Sequence, residues 1–188
     1  MNPIVVKFGG SSLATAGQFE KVTAIIRENP GRRYVVASAP GKRFSGDTKV
    51  TDLLYRCYDA ACAGQDFAPV LDEIRQRFAD IISELQLQVD LAPDFAAIEA
   101  HLRTSPQRDY MASRGEYLNS KLLAAYLGFA FVDAAQMSCS AQTAPLTPRP
   151  RTQPSVTRSS ASTAPSSPAS TARCPTAPSI PSPAAAPT

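Results

Sequence analysis

The stretch Val6-Lys7-Phe8-Gly9-Gly10-Ser11-Ser12 decides the fold expected for this chain. It completes an apolar run, Ile4–Phe8, whose β-branched and aromatic residues predict a buried strand. The two glycines that follow lack side chains, so backbone amides can approach a phosphate closely. The lysine before them can neutralise charge that moves between oxygen atoms. The combination suits phosphoryl transfer, although a Gly-Gly turn after a strand is by itself more often only a tight turn.

The glycine spacing rules out two common nucleotide-binding loops as templates for this turn. A P-loop requires G-x-x-x-x-G-K-[ST], and a dinucleotide-binding fold requires G-x-G-x-x-G. Residues 6–12 match neither pattern. A phosphate-facing role for the turn therefore needs support from the rest of the chain.

The residues after the turn predict a strand, helix, strand order. A second β-branched run, Tyr34-Val35-Val36-Ala37-Ser38, predicts a strand that is left through Ala39-Pro40-Gly41-Lys42. Such an order predicts a parallel α/β sheet with right-handed crossovers. The helix between the strands should end near Asn29-Pro30-Gly31. Its apolar face is expected to contain Phe19, Val22, Ile25 and Ile26.

Two helices are predicted after the second strand. The first runs from Val50 to about Cys62 and begins on Thr51-Asp52. The second has an apolar stripe at helical spacing. That stripe consists of Val70, Leu71, Ile74, Phe78, Ile81, Ile82 and Leu85.

Further elements are predicted up to residue 134. Asp94 is expected to cap a helix over residues 95–102, and residues 106–127 supply one or two more. Ala130-Phe131-Val132 predicts a third strand. A mixed α/β architecture is the result.

Composition divides the chain into two parts, residues 1–134 and residues 135–188. The first part carries 15 basic and 16 acidic residues, whereas the second carries four arginines, no acidic residue and eleven of the 17 prolines. The second part is rich in Pro, Ser, Thr and Ala, and it cannot bury enough apolar surface to offset the entropy of ordering it. We therefore expect one folded domain followed by a disordered tail.

Several classes of protein are excluded by the same composition. The tail arginines have no aromatic residue among them to stack on bases, which argues against nucleic-acid binding. No apolar stretch is long enough to span a bilayer, and no basic segment followed by an apolar run opens the chain.

Four cysteines without a C-x-x-C pair and a single histidine do not provide a metal site. A cytoplasmic protein is expected, with no protein-held metal.

The Lys-Phe-Gly-Gly-Ser-Ser stretch resembles the opening signature of aspartate kinases, within the amino-acid kinase family. Relatives that act on glutamate, acetylglutamate, carbamate or uridine monophosphate carry different residues after the lysine. Other segments resemble the family in order and spacing, and together they cover residues 4–134. They are Ser38-Ala39-Pro40-Gly41-Lys42, Asp47-Thr48-Lys49-Val50-Thr51-Asp52-Leu53-Leu54, Ser113-Arg114-Gly115-Glu116, Asn119-Ser120-Lys121-Leu122 and Phe131-Val132-Asp133-Ala134.

The resemblance implies a fold and an activity. The fold is an α/β three-layer sandwich with a mainly parallel sheet, which would be incomplete in this chain. The activity is transfer of the ATP γ-phosphoryl group to the side-chain carboxylate of L-aspartate, with Mg²⁺ screening the phosphates. This reaction is the first step towards lysine, threonine and methionine. The full-length relatives are expected to be homo-oligomers.

The resemblance also implies roles for individual residues. Lys7 is expected to stabilise the transferring phosphoryl group. The residues expected to bind ATP phosphates are Lys7, Gly9, Gly10 and Ser11. The residues expected to hold aspartate are Ser38, Thr51 and Glu116. No general base is needed, because a carboxylate is already a nucleophile at neutral pH.

Each assignment has a structural alternative. Lys7 can simply be solvated at a strand end, and Thr51 can cap a helix. Glu116 can pair with Arg114 or Lys121 on a helix surface. At the level of the whole chain, the alternatives are a kinase with another acceptor and a non-catalytic fragment that binds aspartate.

The tail suggests a shifted reading frame. Codons can be written for Pro165 to Thr188 so that the last base of one codon and the first two bases of the next give each residue of the string VIPGFYGAMPDGTI[N/D]TFSRGGSD. It resembles the nucleotide-binding segment that aspartate kinases carry at this point, and residues 142–151 can likewise be read as DGTFDAEA followed by tyrosine. A frameshift near Ala135 to Met137 is therefore expected. The printed chain should be marginally stable and inactive, with an unpaired sheet edge and an uncovered apolar face.

Overall fold

The computed structural model describes residues 2–138. They fall into two compact units that divide between Val132 and Asp133. The predicted boundary at residue 134 and the frameshift stay predictions, and the tail beyond residue 138 lies outside the described residues. The elements are β1 (Ile4–Phe8), a 3₁₀ turn (Gly10–Leu13), α1 (Ala16–Arg27), β2 (Arg32–Ala37), α2 (Val50–Cys62), α3 (Ala68–Glu84), α4 (Ala92–Thr104), α5 (Arg108–Leu127) and α6 (Ala134–Ser138), the last in the second unit.

The two strands form a parallel pair joined by α1, as the strand, helix, strand order predicts. Lys7 lies opposite Val36, and Phe8 lies opposite Ala37, so the two strands end at the same edge of the sheet. Phe19, on α1, is fully buried. The prediction for Ile25 is wrong, because this side chain is 42% exposed and lies beside the buried stripe. The buried residues of α1 are Ala16, Phe19, Val22, Thr23 and Ile26.

Helices α2 to α5 supply most of the core of the first unit. Helix α2 packs on both α3 and α5, and α5 also contacts β2. Cys57, in α2, is a buried free thiol, and burial raises its pKa to about 11. Among the largest fully buried side chains are Leu53, Leu54, Leu71, Ile74, Phe78, Ile98, Met111, Leu118, Leu122 and Leu123.

Helix boundaries agree with the sequence patterns at several ends. Helix α2 spans the predicted residues, and α5 is one continuous helix that ends at Gly128, which adopts a left-handed φ of 72°. The capping prediction for Asp94 is wrong, because α4 begins two residues earlier, at Ala92. The backbone nitrogen of Ala92 instead donates to Asp90 Oδ1 at 2.8 Å.

The sheet of the described residues has two strands, and the predicted third strand at residues 130–132 is not formed. A strand needs a neighbouring backbone to pair with, and residues 2–138 offer none to this segment. Val132 is 63% exposed, and the ring of Phe131 packs edge-on against that of Tyr117 with centroids 5.3 Å apart. The α/β class with an incomplete parallel sheet is confirmed.

One face of the sheet is apolar and exposed. Val5 lies opposite Tyr34, and these side chains are 67% and 60% exposed. Val36, opposite Lys7, is 48% exposed. The described residues therefore leave this face uncovered, as expected from the sequence.

Candidate active site

The turn after β1 is open to solvent on one side and closely packed on the other. Lys7, Gly9 and Ser11 are exposed. Gly10, by contrast, lies so close to the second strand's loop that an added Cβ would be 2.6 Å from the carbonyl oxygen of Ala39. Only glycine fits at this position, and the exposed side of the turn is left free for a ligand.

The loop after β2 meets this turn through its backbone. The Gly41 nitrogen donates to the Gly10 oxygen at 2.8 Å. A Cβ at Gly41 would be 2.7 Å from the Gly10 carbonyl carbon and 2.8 Å from the Ser11 nitrogen. The Gly-Gly turn and the Ala-Pro-Gly loop thus form one closely packed unit at the carboxyl ends of both strands.

Helix α5 packs against the end of β2 through two residues of its predicted motifs. Asn119 is fully buried, and its Nδ2 donates to the carbonyl oxygen of Ser38 at 2.6 Å. A Cβ at Gly115 would lie 2.7 Å from the Ala39 Cβ, so the glycine lets the helix approach the loop. Ser38 itself is partly exposed, and its nitrogen donates to Phe8.

Thr51 lies in the first turn of α2, near the same loop. The Val50 nitrogen, one residue earlier, donates to the Pro40 oxygen at 3.1 Å. The interpretation of Thr51 as a helix cap is wrong, because the N-cap residue is Lys49. Asp52, also in the first turn, favours the positive end of the helix dipole.

Glu116 is exposed and follows the buried Gly115 on α5. The predicted alternative, an ion pair with Arg114 or Lys121, is wrong within the described residues. Arg114 stacks on two tyrosine rings, with centroid distances of 4.5 and 4.7 Å. Lys121 pairs with Asp94 at 2.6 Å, and this hydrogen bond raises the pKa of the lysine. The Glu116 carboxylate is therefore not engaged by either cation.

An ion cluster around the buried Asp47 lies next to these loops and is not predicted by the sequence. Asp47 accepts hydrogen bonds from the backbone and guanidinium of Arg43 and from Arg77 on α3. Hydrogen bonding by Arg43 holds the pKa of the Asp47 carboxyl well below its usual range. The one sequence signal for this cluster is Arg77, an arginine on the apolar face of α3.

Asn119 is a further site residue that the sequence motifs do not identify as such, although it lies within one of them. Its role depends on a contact with Ser38, 81 positions earlier, which no local pattern reveals. The structure thus brings together the Lys7 turn, the Ser38 loop, the first turn of α2 and the middle of α5. All four meet around residues 38–41.

Residues 2–138 contain neither a grouping of potential metal ligands nor a helix suited to cross a membrane. No three potential ligands among His, Cys, Asp and Glu are grouped as a metal centre would require. None of the helices in this part of the chain has the length and apolar character needed to cross a bilayer.

Comparison with known proteins matches residues 2–165 to the amino acid kinase family. Aspartokinase 3 of Bacillus subtilis is 39% identical over 137 residues, which cover 69% of this chain and 30% of that protein. The structure superposes on Clostridium acetobutylicum aspartate kinase with a TM-score of 0.69 and 45% identity, covering 71% of this chain and 31% of the other.

A more distant structure shares the fold. E. coli aspartokinase III gives a TM-score of 0.51 at 23% identity, over 68% of this chain and 29% of that one. The chain spans less than a third of the length of these relatives. Since the family match extends over most of the sequence, the chain belongs to the amino acid kinase family.

Proposed function

We propose that this chain carries the acceptor- and phosphate-binding part of an aspartate kinase. The observation that carries the proposal is the convergence of four segments on residues 38–41, by way of Gly10, Gly41, Gly115 and Asn119. Sequence motifs assign phosphate binding to one of these segments and aspartate binding to the other three. The names of the B. subtilis and C. acetobutylicum relatives support the same activity.

In the proposed site, Lys7 faces the transferred phosphoryl group. Its ammonium offsets the negative charge that spreads over the phosphoryl oxygens in a loose transition state. The Gly9-Gly10-Ser11 backbone lies beside it, and amides of such a turn can donate to the ATP phosphates. The close Gly10 to Gly41 packing keeps this backbone in one position, which lowers the reorganisation needed during transfer.

The acceptor half of the site is assigned to Glu116, Ser38 and Thr51. The exposed Glu116 carboxylate pairs with the ammonium group of aspartate, and the two hydroxyls donate to or accept from its polar groups. A side-chain oxygen of aspartate then attacks the γ-phosphorus, and the bond from that phosphorus to the bridging β,γ oxygen breaks. ADP leaves with that oxygen, and aspartyl phosphate remains. No proton has to be removed from the acceptor.

Mg²⁺ is expected to accompany the ATP phosphates. Residues 2–138 contain no group of three or more His, Cys, Asp or Glu side chains that would hold a metal ion by themselves, so the ATP phosphates would supply much of the ion's coordination. No step of the transfer is therefore assigned to a metal held by these residues.

A second candidate function is binding of aspartate without catalysis. The exposed sheet face of Val5, Tyr34 and Val36 favours it, because the described residues do not cover their own sheet. Calorimetric titration of the 188-residue chain with L-aspartate tests binding, and turnover of ATP with aspartate tests catalysis. Heat of aspartate binding without turnover of ATP supports binding of aspartate without catalysis.

A matched pair of variants tests the assignment of the acceptor pocket. Glu116→Gln removes the charge proposed to hold the aspartate ammonium, whereas Glu84→Gln changes a carboxylate at the end of α3. We expect the first to weaken aspartate binding about tenfold or more and the second to leave it unchanged. If both variants bind aspartate with equal affinity, Glu116 is not part of the acceptor pocket.

A further inference from the structure

The loop of residues 42–49 is closed by a buried carboxylate. Asp47 Oδ2 accepts from the backbone nitrogen and Nε of Arg43 at 2.9 and 3.0 Å, and Oδ1 accepts from Arg43 Nη2 at 3.2 Å. Oδ1 also accepts from Nη2 of Arg77 on α3. Asp47 therefore links two positions within the loop, and it also joins the loop to α3, a helix that none of the sequence motifs includes.

Arg77 is an unusual residue for its position. It lies on the face of α3 that buries Ile74 and Phe78, and it is itself buried. Its Nε and Nη1 have no hydrogen-bond partner among the described residues. Burying an arginine costs free energy that an apolar side chain of similar volume would not. Stability alone does not explain an arginine here, whereas a need to hold Asp47 in one place does.

Both ends of this loop belong to the candidate active site. At one end, Gly41 packs on the backbone of Gly10 and donates to it. At the other end, the loop enters the first turn of α2, where Thr51 lies. A displacement of Asp47 would therefore move the phosphate-facing turn and the start of α2 together.

We propose that Arg77 is a positioning residue that fixes, through Asp47, the loop between Gly41 and Thr51. The inference rests on the proposed function, in which one end of the loop packs on the phosphate-binding turn at Gly10 and the other end carries Thr51 for aspartate. Among the described residues, the other cation bonded to Asp47 is Arg43, which belongs to the loop itself and therefore cannot attach the loop to α3. Glu73, 4.0 Å from Arg77 Nη2, lies on α3 and cannot hold the loop.

The test compares Arg77→Met and Arg77→Lys with the control Arg75→Met in the 188-residue chain. Arg75 lies on the same helix but pairs with Asp72 and Glu99, away from the loop. Trypsin cleaves after the exposed Lys42, Arg43 and Lys49. The rate of cleavage at these three sites therefore reports opening of the loop. Cleavage sites outside the loop report global unfolding in the same sample.

Arg77→Met is expected to speed cleavage in the loop about tenfold or more relative to sites elsewhere, with Arg75→Met unchanged. Arg77→Lys should fall between them, because it keeps the charge and loses the planar fork. Cleavage that rises equally at all sites, or equally in both methionine variants, would overturn the proposal.

Aspartate binding separates this inference from the proposed function. If the wild-type chain does not bind aspartate, the proposed pocket is refuted. The cleavage ratios then show by themselves whether Arg77 holds the loop. Where the wild type binds, Arg77→Met should weaken aspartate affinity about fivefold or more, with Arg75→Met as the reference. Unchanged affinity with an opened loop would contradict the positioning role.

Discussion

Replacing Gly115 by alanine tests the close approach between α5 and the loop after β2. The added Cβ would lie 2.7 Å from the Ala39 Cβ and 3.3 Å from Leu54 Cδ1. Carbon atoms in contact are normally about 3.5–4.0 Å apart, so the first contact is short by roughly 1 Å. Neither Cβ can rotate away, because each is fixed to its backbone. The helix or the loop must therefore move.

The expected free-energy change combines two opposing effects. Overpacking of this kind costs about 1–3 kcal/mol, and alanine regains up to about 1 kcal/mol of helix propensity. The net result is a loss of about 1–2 kcal/mol in the free energy of unfolding. Gly17→Ala is the control, because Gly17 is also helical and a Cβ there would contact nothing within 4 Å. That variant should gain about 0.5 kcal/mol.

Urea unfolding followed by circular dichroism measures both variants. The midpoint should fall for Gly115→Ala and rise slightly for Gly17→Ala, with unchanged slopes. Aspartate affinity should fall only in the first variant, since only its helix carries Glu116 and contacts the Ser38 loop. A Gly115→Ala protein as stable as Gly17→Ala would refute the packing that brings the four segments together.

Three further predictions follow from single contacts. Asn119→Leu should lower the free energy of unfolding by about 1–3 kcal/mol in urea titrations, because the Ser38 carbonyl loses its donor. The stability difference between wild type and Asp47→Asn should stay constant above about pH 5 and shrink below about pH 4. The sign follows because the folded-state pKa of Asp47 is lowered, so its contribution is lost as pH falls through that pKa. Cys57, whose pKa is raised to about 11 by burial, should react with a disulfide reagent at pH 8 at less than about 1% of its rate in urea, as measured by peptide mapping.

The sequence predicts elements whose signals are local. The β1 run followed by two glycines and the helix from Val50 to Cys62 both have the expected bounds. The segment 130–132 has strand-like residues too, but strand formation depends on a partner backbone that is not within residues 2–138. Asp94 resembles a cap by type, although its carboxylate is committed to a contact with Lys121 on another helix.

Site prediction was limited in the same way. Motifs identify Lys7, Ser38, Thr51 and Glu116 one segment at a time, and their roles stay predictions. The reason that the segments meet lies in contacts between distant residues, such as Asn119 with Ser38. Residue type and spacing carry no information about such pairs. A buried arginine within an apolar stripe is the one clue that a sequence alone could have supplied.

The most direct test of the central claim is phosphoryl transfer by the protein encoded when the proposed frameshift near residues 135–137 is corrected by one base. Aspartyl phosphate, trapped as the hydroxamate, should form from ATP and L-aspartate. L-glutamate should give no product, and Lys7→Met should lower the rate by about a hundredfold or more. Equal rates with glutamate, or full activity of Lys7→Met, would contradict the assignment of this chain to an aspartate kinase.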